Sequence, residues 1–314
     1  MSQLDVIILT NTKNIHFFEM TKKCIESYLL EGNVYINKII LMETNQSWDL
    51  TSWSKISSKV HSICPNIPFN YNRFLNKALS VCSAPIICLS NNDVVVQTNC
   101  INNIIKAFNE DSDLMSASPI DRTWHRNSYK DFPEENFKYI GYETTKFILG
   151  FNIYLRKQVY DVIGLHDERF DFYYQDNDYE MCLKKNKLKH ALISNAHIVH
   201  GHNKPDTETT EQETLNRLEE DRIKFVNKWQ FLFNSSMFNK YLKLGILCKN
   251  QTLIGYTNDL VNIATNFNDI KHCHYYFECS VPLTEQLINK ILLTIDKTSA
   301  DKIILDEQNT VIKL

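Results

Sequence analysis

The chain opens on an uninterrupted apolar run at residues 6–9, and a second, mostly apolar run follows at 36–42, unbroken from Ile39 to Met42. Between them, residues 17–30 carry apolar side chains at helical spacing as far as Gly32. Short runs that are apolar at every position predict strands buried on both faces, and a stripe at i, i+3 and i+4 predicts an amphipathic helix. Strand, helix, strand in that order predicts a right-handed βαβ unit and a parallel sheet. The pattern continues with a helix over 74–81 and a buried strand over 86–89. Residues 113–147 are irregular, rich in aromatic and charged residues, and predict a strand near 114–118 followed by loops and a hairpin. Beyond them come a strand over 147–156, a short helix over 157–163 ending at Gly164, and a helix over 176–187 with Tyr179, Cys182 and Leu183 inward. A strand over 191–199 runs into His200-Gly201-His202. The polar stretch 203–214 predicts a mobile loop, and a helix follows over 213–228. From about residue 245 the texture changes. Strand-like runs at 252–256, 275–280 and 302–305 alternate with helical runs at 260–266 and 284–295. The expected organisation is a large α/β domain over 1–244 and a small α/β accessory domain over 245–314.

Composition narrows the class. With 314 residues there is room for both domains, and 43% hydrophobic with 23% charged residues is ordinary for a globular protein. A net charge of −3 is no footprint of duplex binding. The nine cysteines, an odd number, form no CxxC pair, which weakens the disulfide and zinc-ribbon readings and predicts mostly reduced thiols. No apolar run approaches the roughly 20 residues of a membrane span, and the chain starts on a strand instead of a secretory leader. A cytoplasmic protein, or one in a host cytoplasm if viral, is expected. A homo-oligomer is left open.

Two acidic clusters end apolar stretches: Ser90-Asn91-Asn92-Asp93 and Gln175-Asp176-Asn177-Asp178. Ligands of open α/β sheets bind outside the carboxyl ends of the strands, where the first cluster falls. Mg²⁺ and Mn²⁺ take one or two carboxylates together with phosphate oxygens and water, which Asp93 can supply. The alternative is a turn or a helix cap. Asp176 starts a helix, where the dipole favours an ionised carboxylate able to act as a general base; a plain acidic first turn is the alternative. On a strand His200 and His202 face one way and His197 the other, so one histidine can complete a coordination sphere but three cannot. Surface histidines are the alternative there.

The order of these features resembles the family 2 inverting glycosyltransferases of GT-A fold, in particular rhamnosyltransferase-like members. The resemblance runs over most of residues 1–230. Val6-Ile7-Ile8-Leu9-Thr10-Asn11 is similar to the family's first strand and nucleotide loop, and residues 39–47 to its second strand and turn, with Glu43 where Asp is usual. Residues 71–78 resemble the helix whose Asn, here Asn76, faces the nucleotide. Leu89-Ser90-Asn91-Asn92-Asp93 is similar to the Asp-x-Asp region in an Asn-Asn-Asp form. The most specific likeness is Gly150 to Arg156 with Val162-Ile163-Gly164-Leu165-His166-Asp167-Glu168-Arg169-Phe170, leading into the base motif. Val199-His200 and Phe225-Val226-Asn227-Lys228-Trp229 complete it, with Gln230 replacing a Gly. The motif Glu-Asp-x-Asp stands here as Gln175-Asp176-Asn177-Asp178, so the first carboxylate is lost and the base Asp176 is kept.

The resemblance implies a mixed Rossmann-like sheet flanked by helices, and sugar transfer from a nucleotide-diphosphate donor, a UDP-sugar in the first instance. Thr10, Asn11, Glu43, Asn76, Asn91 and Asn92 would bind the donor. Asp93 and His200 would hold Mn²⁺ or Mg²⁺. Asp176 would deprotonate an acceptor hydroxyl, with inversion at the anomeric carbon. Trp124, His125, Arg126 and Asp178 are the candidate acceptor residues. The acceptor itself stays open between a glycan, a lipid-linked sugar, a protein and nucleic acid, including hydroxymethylated DNA bases of a virus or phage. A nucleotidyltransferase on the same sheet is a rival reading, opposed by the absence of glycine in residues 9–15. A non-catalytic nucleotide-sugar-binding module is another, opposed by the presence of Asp93, Asp176 and His200.

Overall fold

The computed structural model describes residues 3–126, 128–201 and 211–229, and then five strands between Leu244 and Lys313. The chain divides into two units, Met1–Asp221 and Arg222–Leu314.

The first unit is built on a nine-stranded mixed sheet. Its strands are β1 (Leu4–Thr10), β2 (Ile36–Glu43), β3 (Val60–Ile63), β4 (Ile86–Asn91), β5 (Val94–Val96), β6 (Leu114–Asp121), β7 (Lys138–Ile140), β8 (Asn152–Arg156) and β9 (Lys189–His200). They lie in the order β3-β2-β1-β4-β8-β6-β9-β5, with β7 also paired to β9. The helices are α1 (Ile15–Gly32), α2 (Thr51–Ser54), α3 (Tyr71–Leu79), α4 (Cys100–Glu110), α5 (Val159–Ile163), α6 (Gln175–Lys185) and α7 (Glu211–Trp229), whose residues from Arg222 on fall in the second unit.

The apolar runs are continuous because both sheet faces are covered. Val6, Ile8, Ile39, Leu41, Ile86 and Cys88 pack on one face with Ile25, Tyr28 and Ile104 of α1 and α4. Their neighbours Ile7, Ile40, Met42, Ile87 and Leu89 pack on the other with Phe74, Val159, Tyr179 and Leu183 of α3, α5 and α6. Each fully buried side chain of this size contributes about 1.5–3 kcal/mol. Asn14 and Asn70 start α1 and α3 by accepting hydrogen bonds from first-turn amides.

Strand direction decides where the chemistry collects. The strands β1, β2, β3 and β4 are mutually parallel, and the register sets Thr10 opposite Glu43 and Leu9 opposite Asn91. β8 runs antiparallel to both β4 and β6, and β6 is parallel to β9. The carboxyl ends of β1, β2, β4, β6 and β9 therefore share one edge with the amino end of β8. That edge carries Thr10, Glu43, Asn91, Asp121, His200 and Phe151.

Several expected elements differ. Only Asn152–Arg156 of the 147–156 stretch is strand, because the Glu143 carbonyl accepts from the amides of Lys146, Phe147 and Ile148 and folds the preceding residues into a turn. The expected hairpin partner β7 pairs antiparallel with the distant β9. The 203–214 loop lies largely outside the described residues, and helix is present from Glu211.

The second unit contains β10 (Leu244–Cys248), β11 (Val261–Ala264), β12 (Tyr275–Cys279), β13 (Lys302–Leu305) and β14 (Val311–Lys313), ordered β11-β10-β12-β13-β14. All its pairs are parallel except β13 with β14. The helix expected over 260–266 is corrected to strand β11. A four-residue Val-Asn-Ile-Ala run has no length with which to distinguish the two periods, and pairing along β10 decides it. The runs at 252–256 and 284–295 lie outside the described residues.

Candidate active site

Three groups of side chains line the shared sheet edge. The first joins β1, β2 and α1. The Thr10 hydroxyl lies 3.0 Å from that of Thr21 and 3.4 Å from that of Thr12. The Asn92 amide donates to Thr10 (3.2 Å) and Thr21 (3.0 Å). Glu43 is fully buried, and its Oε1 accepts from the backbone amides of Thr12 (3.0 Å) and Asn45 (2.9 Å). Its Oε2 is buried with no hydrogen-bond partner. A buried carboxylate oxygen left unpaired costs about 1–3 kcal/mol or more. Asn11 is exposed beside this group.

Asn76 is elsewhere. Its Nδ2 donates to the His166 carbonyl (2.9 Å) and to Glu168 (3.1 Å), and its Oδ1 accepts from the His166 amide (3.0 Å). Asn70 and Asn72 donate likewise to carbonyls of Asp167, Glu168 and Phe170. The 71–78 and 162–170 motifs thus bind each other: α3 is a clamp for the turn leading to α6.

The second group is the turn from β4 to β5. Asp93 Oδ1 lies 3.1 Å from His200 Nε2, and the Gly201 amide donates to the Asp93 carbonyl. The Asn91 amide is 3.4 Å from the same His200 nitrogen. His200 stacks on Phe151, with centroids 4.1 Å apart and planes 4° from parallel. A carboxylate oxygen and an imidazole nitrogen this close are placed to share one cation. No cluster of three or more His, Cys, Asp or Glu side chains suited to a metal occurs among the described residues. Two protein ligands suit an ion that draws the rest of its shell from phosphate and water. His197 serves another purpose, pairing at 3.0 Å with Glu134.

Asp121, absent from the sequence-based set, positions His200. It is fully buried; Oδ2 accepts from the His200 amide (2.8 Å), and Oδ1 accepts from those of Thr123 (2.7 Å) and Trp124 (3.1 Å). One carboxylate therefore ties His200 to the 122–125 turn. An acidic residue at the carboxyl end of a predicted strand was the available signal.

The third group surrounds Asp176 at the start of α6. The preceding Tyr174 is left-handed (φ 62°), a conformation costing a non-glycine residue about 1–2 kcal/mol. Asp221 holds the approach to it. This fully buried carboxylate accepts from the successive amides of Asp171 (3.2 Å), Phe172 (2.9 Å) and Tyr173 (2.9 Å). In sequence Asp221 reads as one more charge on a helix. Gly150 lies against Asp176: a Cβ there would sit 2.8 Å from Asp176 Oδ2. Burial, then the Asp176 charge, pushes the Tyr71 phenol up to about 12, so it stays a donor beside the carboxylate.

Asp176 and His200 line one cavity of about 320 Å³. Trp124 lies on its wall, its indole N–H donating to the Thr145 carbonyl at 2.9 Å. The other expected acceptor residues do not line it. His125 is buried, its ring nitrogens placed on the Asp121 and Lys146 carbonyls. Arg126 is exposed, and Asp178 is buried in the first turn of α6.

No family model matches the chain, and no curated protein matches it. Solved structures do. GalNAc-T7, in a structure with UDP, GalNAc and Mn²⁺, matches with a TM-score of 0.54 at 9% identity, over 74% of this chain and 51% of that one. The mannosyltransferase PcManGT of Pyrobaculum calidifontis, in complex with GDP-Man and Mn²⁺, matches with a TM-score of 0.51 at 11% identity, over 74% of this chain and 63% of that one. The fold is GT-A. The chain spans about half the length of the first neighbour and under two-thirds of the second. Among the described residues no helix is long and apolar enough to cross a membrane.

Proposed function

We propose that the chain is a metal-dependent glycosyltransferase that moves a sugar from a nucleotide-diphosphate donor to an acceptor hydroxyl with inversion. The observation that carries this reading is one cavity at the carboxyl edge of the sheet lined by both His200, paired with Asp93, and Asp176. The two solved neighbours that hold nucleotides and Mn²⁺ support it.

Glu43 and Thr10 take the nucleobase end. An acceptor-only carboxylate selects an N–H donor, which uracil N3–H or guanine N1–H would supply on reaching Glu43; the UDP-sugar is carried over from the family resemblance. Asp93 and His200 would hold the divalent ion, with the imidazole favouring Mn²⁺ over Mg²⁺. Bound there, the ion would neutralise charge developing on the departing diphosphate. Asp176, ionised at the helix N-terminus, takes the acceptor hydroxyl proton. The acceptor oxygen bonds to the anomeric carbon as the bond from that carbon to the phosphate oxygen breaks, and the nucleoside diphosphate leaves with the electron pair. Among the described cavity-lining residues Asp176 is the sole carboxylate. That carboxylate is the candidate base, and the inverting course rests on the resemblance of its motif to the family's base motif.

A thermal-shift screen of UDP- and GDP-sugars with Mn²⁺ or Mg²⁺ tests the reading. At a hundred times its Kd a ligand stabilises by about 2.7 kcal/mol, worth roughly 5–10 °C for a domain of this size. The expected result is such a shift with a UDP-sugar, dependent on the metal and lost in Asp93→Asn. If no nucleotide sugar shifts the transition with either metal, the reading is wrong.

A further inference from the structure

The buried face of α1 is not wholly apolar. Thr21, Cys24 and Ser27 stand three residues apart along the helix, and all three are buried. Each makes a hydrogen bond to residues 91–96, the segment that carries Asp93. The Thr21 hydroxyl accepts from the Asn92 side-chain amide (3.0 Å), the Cys24 thiol donates to the Asn91 carbonyl (3.5 Å), and the Ser27 hydroxyl accepts from the Val96 amide (3.1 Å).

A buried hydroxyl is costly unless it is hydrogen-bonded, and on a helix a carbonyl of the preceding turn can satisfy it. Ser27 is satisfied in that way, donating to the Cys24 carbonyl at 2.7 Å. Thr21 spends its hydroxyl across the fold, on Asn92 and on the Thr10 hydroxyl 3.0 Å away. Asn92 also donates to Thr10, at 3.2 Å. A side-chain amide has two N–H groups, so Asn92 is pinned at two points, one at the end of β1 and one on α1. The next residue is Asp93. Its carbonyl accepts from the Gly201 amide at 2.9 Å, beside the pairing of Val94 with His200 across β5 and β9. Asp93 is thus gripped by α1 through its neighbour and by the end of β9 through its own backbone, and its Oδ1 lies 3.1 Å from His200 Nε2. A rotation of the turn that swung this carboxylate off His200 would break the bonds of Asn92.

We propose that Thr21 is a positioning residue for a divalent-cation site: through Asn92 it holds the Asp93 carboxylate against His200. The proposal rests on the glycosyltransferase reading, in which Asp93 and His200 hold the ion. Thr21 acts on that ion only through Asn92 and Asp93. Losing an outer partner of this kind typically lowers metal affinity by about 10–100-fold.

The test uses the full chain and reads Mn²⁺ binding instead of turnover. Mn²⁺ is titrated at a fixed UDP concentration and followed by electron paramagnetic resonance, with the Mn²⁺ that UDP takes up alone measured in a blank without protein. Thr21→Val keeps the shape of the side chain and removes the hydroxyl, and it should weaken Mn²⁺ about tenfold. Thr21→Ser restores the hydroxyl and should bind within about threefold of wild type. Ser116→Ala removes another fully buried hydroxyl, 2.8 Å from His190 Nδ1, and should leave Mn²⁺ affinity within about twofold. Asn92→Ala should show the same loss as Thr21→Val, and the double variant should be no weaker than Asn92→Ala alone, because the two act in series. Wild-type affinity in Thr21→Val, an unrescued loss in Thr21→Ser, an equal loss in Ser116→Ala, or additive losses in the double variant would each overturn the proposal. If Thr21→Val does not fold, Asn92→Ala decides, and wild-type affinity there overturns it. If the wild type takes up no Mn²⁺ beyond the blank, the glycosyltransferase reading fails and this proposal with it; if the wild type binds Mn²⁺ and Thr21→Val binds it equally, the role of Thr21 alone fails.

Discussion

Gly150→Ala isolates the placement of Asp176, the proposed base. The new Cβ would lie 2.8 Å from Asp176 Oδ2, 3.0 Å from its Cβ and 3.1 Å from its Cγ. The carboxylate oxygen can rotate away. The Asp176 Cβ cannot, because it is fixed to the first turn of α6, which is anchored by buried Tyr179 and Leu183. Either that turn or the start of β8 must shift by a few tenths of an ångström. Gly150 is not among the residues with positive φ, so backbone strain does not confuse the result. Overpacking costs about 1–3 kcal/mol. A misplacement of about 1 Å can cost a hundredfold in rate, so a shift of this size should lower kcat on the order of tenfold. Donor KM should change less than about twofold, since the Thr10 and Glu43 group is untouched. Steady-state release of nucleoside diphosphate, with urea unfolding alongside, reads both quantities. Gly164→Ala is the control: no atom lies within 4 Å of its Cβ but its φ is +76°, so it should cost about 1 kcal/mol and leave kcat alone. Wild-type kcat in Gly150→Ala would refute the contact as a determinant of base position.

Two further outcomes follow from buried groups away from the reacting atoms. Asp221→Ala removes the acceptor of three backbone amides and should destabilise by about 3 kcal/mol while lowering kcat on the order of a hundredfold, with Asp221→Asn in between; unaltered kcat in a folded Asp221→Ala protein would show that the 171–173 turn does not position Asp176. Burial pushes the His190 imidazole down to about 4, so as pH falls the unfolded chain, titrating near 6.5, binds the proton first. Stability should be full above about pH 6.5 and decline by roughly 3 kcal/mol on the way to pH 4. Urea unfolding across that range should show the decline, and His190→Gln should flatten it; an equal slope in both proteins would assign the acid sensitivity to other groups.

The sheet was legible in sequence because its strands are buried on both faces and read as short unbroken apolar runs; even the edge that carries Thr10, Glu43 and Asn91 follows from parallel pairing. The order of the acidic clusters pointed to Asp93, Asp176 and His200, which the fold brings to one edge. Asn76 shows where a motif match misleads: a side chain similar in sequence is engaged, in space, by the turn at 166–168. Asp121 and Asp221 were missed for the opposite reason, although Asp121 carried one signal, its place just beyond a predicted strand. Each acts by accepting backbone amides from residues 79 and about 50 positions away, and backbone donors leave no mark in a sequence. The second sheet was half legible, since a run as short as Val261–Ala264 carries too few residues to fix a period.

The central claim is that Asp176 is the base of a metal-dependent sugar transfer, and the most direct measurement compares wild type with Asp176→Asn using a donor that binds in the thermal-shift screen. Turnover with Mn²⁺ and a hydroxyl acceptor should fall by about 10²–10⁴-fold in the variant, while the donor-induced shift stays within error of wild type. Turnover surviving within a few-fold in Asp176→Asn, or none in the wild type with any donor that binds, would contradict the account.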